Sequence, residues 1–131
     1  MGTMVLAVIL LAGCSQPNPV NLQDPLESAR GFIEASLKGN FDRAQQYLLN
    51  DSTNRLYFDG YKEFSAKQSD AEREGYRQAD IIIDSLHQVS DSVTVVTYAN
   101  TFKKKTSKLK MVRVGKDWFV DFKFTFLNQP E

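Results

Sequence analysis

The chain of 131 residues holds one cysteine and one histidine, and each scarcity excludes chemistry. With Cys14 alone there is no intramolecular disulfide, so the fold rests on packing. His87 has no second histidine or spare thiol to work with, so there is no recognisable nucleophilic pair or triad, and no His/Cys cluster at metal-ligand spacing. It reads as a polar strand residue alternating with Ile83 and Ser85. No metal or cofactor is implied. Long apolar runs are missing too: the longest, Met4 to Ala12, is nine residues, far short of the ~20 that span a bilayer. Nor is there an excess of one charge, since 16 Lys and Arg stand against 16 Asp and Glu. The balance hides a split, with 11 acids and 8 bases from Asp24 to Asp80 and 5 acids and 8 bases from Ile81 to Glu131. Neither half carries the footprint of a nucleic-acid binder, so no such partner is expected.

What is present begins with that short apolar run. Nine apolar residues match the core of a secretory leader, and the run ends in Leu11-Ala12-Gly13-Cys14, with small residues before the only thiol. These four residues resemble the bacterial lipobox. The resemblance implies that residues 1–13 are a cleaved signal peptide, that Cys14 is the acylated first residue, and that two or three acyl chains hold the protein on a membrane. Met1-Gly2-Thr3 lacks the usual basic residue: either the α-amino group suffices or the true start lies upstream. Residues 14–23, with two prolines and no charge, read as a short extended linker. Ser15 after the cysteine is compatible with an outer-membrane location facing the periplasm.

Residues 24–131 read as one domain. Asp24, Pro25 and Glu27 form a helix start, and Leu26, Ala29, Phe32, Ile33 and Leu37 recur at helical spacing up to Gly39. Asn40 caps a second helix carrying Phe41, Ala44, Tyr47 and Leu48 on one face, ending near Asn50-Asp51-Ser52. A third helix is expected over 54–67 and a fourth, short one after Ser69 and Glu72. From Ile81 the period changes to two. Strands are predicted from Ile81 to Val89, Val93 to Phe102, Lys108 to Val114 and Trp118 to Phe126, in an antiparallel meander.

The register of the last hairpin follows from its side chains. A two-residue loop at Gly115-Lys116 sets Met111 opposite Val120 and Leu109 opposite Phe122 on one face, with Lys110 opposite Asp121 and Val112 opposite Phe119 on the other. The same register puts Arg113 opposite Trp118. Trp118, Val120, Phe122, Phe124 and Phe126 then form one apolar row at the floor of the core.

This order of elements, with Lys38-Gly-Asn-Phe-Asp-Arg-Ala44 joining the first helices and an aromatic last strand after a Gly-Lys turn, resembles the nuclear transport factor 2-like superfamily. More narrowly it is similar to small bacterial lipoproteins of that superfamily. The resemblance implies an α+β fold in which N-terminal helices pack on a curved antiparallel sheet, cone-shaped, with a pocket at the open end. It implies no single activity.

Candidate pocket residues are Tyr57, Tyr61 and Tyr76 on the helices and Asp84, Tyr98, Arg113 and Trp118 on the strands. Arg113 stacked on Trp118 would present a cation to an anionic ligand. Lys103-Lys104-Lys105 is the densest basic cluster and would face an anionic membrane surface. Three functions are compatible with these residues: a non-catalytic domain binding a small ligand or an envelope protein; an envelope enzyme using acid/base groups in the pocket; and an assembly factor docking, as a homodimer or on a partner, through Val112 and Phe119 on the outer sheet face.

Overall fold

The computed structural model describes Gly2 and residues 19–127; Leu11, Ala12, Gly13 and Cys14 lie outside the described residues. The first helix, α1, spans Pro25–Leu37 and starts where the sequence places it, with the Asp24 carboxylate accepting the Glu27 amide at 3.0 Å. Gly39 ends it with φ +72, a conformation without strain only for glycine. Asn40 caps α2, Phe41–Gln45, which is shorter than expected. Tyr47 and Leu48 leave the helix because they border the sheet. Tyr47 O accepts the Val120 amide at 2.8 Å, the Leu49 amide donates to Val120 O at 2.9 Å, and Leu48 bridges Val120 in parallel. Both side chains are buried.

The third helix, α3, spans Ser52–Lys67 and begins two residues earlier than its periodicity suggested. Asp51 is the cap, accepting the Asn54 amide at 2.8 Å. Ser69 caps α4, Asp70–Arg77, by accepting the Glu72 amide.

Four strands follow: β1 Ile81–Ser90, β2 Val93–Asn100, β3 Ser107–Val114 and β4 Asp117–Asp121, in one antiparallel sheet of order β1-β2-β3-β4. The chain is therefore an α+β protein of helices followed by a meander, with a short last helix, α5, Lys123–Leu127. The β3–β4 register is the expected one, pairing Met111 with Val120, Lys110 with Asp121, Val112 with Phe119 and Arg113 with Trp118. Gly115, at φ +63, makes the turn.

Two expectations are corrected. The last strand stops at Asp121, so Leu109 has no ladder partner in Phe122, and Phe124 and Phe126 ride on α5. Long-range hydrogen bonds divert the chain: the Lys123 amide donates to Asn54 Oδ1 at 2.8 Å, and Thr125 Oγ1 donates to Lys108 O at 2.9 Å. In β1 the register shifts between Ile83 and Ser85 and again between Gln88 and Ser90. Asp84 is the extra residue of the first bulge, so Ile83 and His87 fall on opposite faces instead of sharing one.

The core lies between α1 and the inner sheet face. Phe32, Ile33, Val96, Leu109, Met111, Val120 and Phe58 are buried, and Phe58 meets Phe32, Phe41 and Phe122 ring to ring. Each such large side chain contributes ~1.5–3 kcal/mol of burial. Trp118 packs here too, and its carbonyl accepts the Ser28 hydroxyl at 2.7 Å, tying α1 to β4. Gly31 is where α1 comes closest: the Tyr47 ring occupies the space any Cβ would need. β4 has no exposed edge, since Leu22 O accepts the Trp118 amide and Tyr47 and Leu49 take the Val120 groups.

Candidate functional site

The chain leaves β4 at Asp121 and turns into α5, which borders the candidate site. Between α1, α3, α5 and the far ends of β2 and β3 lies a cavity of about 850 Å³. From α1 it takes Phe32, Ile33, Ser36 and Leu37, and from α3 Tyr57, Gly60, Tyr61 and Phe64; Tyr76 comes from α4, Tyr98, Asn100 and Ser107 from the sheet, and Phe122 and Phe126 close the end. These positions follow from local rules: Phe32, Ile33 and Ser36 share one face of α1, Tyr57, Tyr61 and Phe64 one face of α3, and Tyr98 and Asn100 one face of β2. Leu56, Phe64 and Phe126 are large apolar side chains left exposed at the mouth, 71%, 61% and 43% accessible. Gly60 leaves room there, because a Cβ on it would meet nothing.

Several polar groups of this cavity are unpaired, whereas Asn100 and Thr125 are hydrogen-bonded. Ser36 Oγ is buried without a hydrogen-bond partner. None of the Tyr57, Tyr61, Tyr76 and Tyr98 hydroxyls is hydrogen-bonded among the described residues. Burial pushes the Tyr61 phenol above its usual range, and nearby Tyr76 adds to the effect. Burial does the same, more strongly, to Tyr98, with Tyr61 contributing. Both phenols stay protonated and offer hydrogen bonds, not negative charge. No Asp, Glu, His or Cys lines the cavity among the described residues; its single charged group is Lys105.

Of the pocket residues expected from sequence, the four tyrosines come together here. Asp84 is exposed at the β1 bulge. Arg113 is paired with Trp118, its guanidinium 5.9 Å from the ring centroid, but at the sheet end away from the cavity, and Trp118 is core. The basic turn is divided. Lys103 pairs with Glu72 at 3.0 Å and lies 4.9 Å from the Phe102 ring centroid, Lys104 takes a left-handed φ of 57°, and Lys105 lines the cavity. Ser36 and Asn100 were not foreseen. Ser36 had a signal: like Ser28, it is a hydroxyl on the apolar side of α1.

A second cleft of about 410 Å³, between α1 and the end of α4, is edged by Arg30, Glu34, Lys38, Arg77 and Asp80. Much of its charge is internally paired, Lys38 with Glu34 at 3.0 Å and Arg77 with Glu74 at 3.2 Å. Among the described residues there is no cluster of His, Cys, Asp and Glu able to hold a metal ion, and no helix long and apolar enough to cross a membrane.

Comparison with protein-family models, with curated proteins and with solved structures gives no significant match to this chain. The cavity and its lining therefore carry the functional reading alone.

Proposed function

We propose that this chain is a lipid-anchored domain of the bacterial cell envelope, of the nuclear transport factor 2-like class, that binds a small, largely apolar ligand without transforming it. The observation that carries this reading is the cavity of about 850 Å³ with aromatic walls and unpaired hydroxyls. Its size lies within the ~300–1,000 Å³ of ligand pockets, and a few polar groups on apolar walls is how such pockets orient a guest. Catalysis is disfavoured by the lining. Tyrosines held protonated have no phenolate available as a base at neutral pH, and among the described residues no carboxylate lines the cavity to serve instead. Leu11-Ala12-Gly13-Cys14 supplies the anchor in this reading, with Cys14 acylated and the domain held by the linker at the outer membrane, facing the periplasm.

The test is binding of a neutral environment-sensitive dye such as N-phenylnaphthylamine to the purified chain. Gly60→Phe fills the cavity from a position with free space, and replacing a helical glycine does not weaken α3. Dye fluorescence should rise with the parent chain and fall to background with Gly60→Phe. Equal fluorescence from both would refute a cavity ligand.

The outer sheet face supports a second reading, docking of a partner or a second copy. Val93 pairs with Val112 and Val112 with Phe119, giving a half-buried apolar row across three strands. Sedimentation of the parent chain and of Phe119→Ser over a concentration series distinguishes it, since only self-association through this face is lost in the variant.

A further inference from the structure

The single charge in an otherwise neutral cavity specifies the ligand further. Resting on the ligand-binding reading above, we infer that the guest is a single-chain anionic amphiphile, a long-chain carboxylate, with its acyl chain between the aromatic walls and its head on Lys105. Lys105 lines the cavity and makes no ion pair or hydrogen bond among the described residues. Two nearby lysines are engaged elsewhere, Lys103 with Glu72 and Lys110 with Asp121.

The loop that carries it is exposed to solvent but held at its start by hydrogen bonds. The Asn100 carboxamide oxygen accepts the Phe102 and Lys103 amides at 3.0 and 2.9 Å. The Asn100 carbonyl accepts the Lys104 amide, and the Phe102 ring is seated against Gly75. Lys105, the next residue along and itself exposed, offers three donors to a head group. The interior rewards a chain: its walls are mostly apolar with a few hydroxyls among them, and affinity gains roughly fourfold for each methylene buried. A cationic amphiphile would set like charge against Lys105, and a neutral one would leave it unused.

Displacement of the bound neutral dye from the full chain by palmitate, hexadecanol and hexadecyltrimethylammonium tests this. Palmitate should displace best, hexadecanol about fivefold less well, and the cation least. Lys105→Gln should weaken palmitate about fivefold and leave hexadecanol unchanged, Lys105→Arg should keep palmitate binding, and Lys104→Gln, next to it but outside the cavity lining, should have no effect. If dye binds but palmitate and hexadecanol displace it equally, or if Lys105→Gln and Lys104→Gln weaken palmitate alike, the anionic head is refuted while the cavity reading stands. If no dye binds the parent chain, the cavity reading fails and takes this inference with it.

Discussion

The Phe102 ring lies against the backbone of Gly75, in space that any side chain at that position would need, and stands edge-on to Tyr76 with centroids 5.1 Å apart. One glycine in α4 thus fixes the loop that brings Lys105 to the cavity. Ala at 75 should favour the helix by ~1 kcal/mol on propensity alone, yet it drives a Cβ into the ring. We expect Gly75→Ala to release Phe102 and speed tryptic cleavage at Lys103–Lys105 with helix content unchanged. Cleavage at the parent rate would show the seat to be dispensable.

Gly31 and Tyr47 make the same kind of contact in the core. Tyr47 is 3% accessible and its backbone carbonyl holds the β4 edge, so it has no room to withdraw. Gly31→Ala should cost about 1–3 kcal/mol in urea unfolding, the range for overpacking a closed site.

Asp121 joins three elements. Its carboxylate accepts from Asn54 Nδ2 at 2.9 Å and from Lys123 Nζ at 2.5 Å, with Lys110 Nζ at 3.7 Å. Burial raises its pKa, but the hydrogen bonds from Lys123 and Asn54 and the two lysine charges outweigh it and hold the carboxyl below its usual value. A depressed folded pKa gives stability that is complete above the unfolded value of ~3.9 and lost as pH falls through the folded one. Asp121→Asn should lose about 1–3 kcal/mol at pH 7, and its stability should change less on acidification than the parent's. Parallel acid curves for the two would contradict this account.

Tyr61 and Tyr98 predict the alkaline limb. Their folded pKa values are raised, so the stability they give is full below the unfolded value of ~10 and is lost as pH climbs toward the folded values. Tyrosinate absorbance should show late-ionising phenols that disappear in Tyr61→Phe and Tyr98→Phe. The variants should also resist alkaline unfolding better than the parent.

Most of the fold could be read from local chemistry. Asp24, Asn40 and Ser69 cap the helices the sequence assigned to them, and opposite charges at Lys110 and Asp121 chose the register of the last hairpin. The end of β4 was not legible because Phe122, Phe124 and Phe126 fit a strand of period two, while Phe122 and Phe126 fit a helix at i, i+4 equally well. The rings meet at 4.9 Å in the helical arrangement. What decides between them is Asn54, 69 positions away from the Lys123 amide it accepts. The cavity inherits that difficulty. Its tyrosines are legible from spacing, whereas the place of Lys105 at the cavity is not, because a loop seated on Gly75 leaves no periodic trace.

The two edges of the sheet end differently, and this bears on how the protein survives crowding. Backbone groups from Leu22, Tyr47 and Leu49 cover β4, but β1 stands at the other margin. Its bulges leave no stretch longer than Ser85–Gln88 in continuous register. An incoming strand from a neighbouring molecule would meet donors and acceptors out of step after four residues, which works against edge-to-edge pairing at this margin.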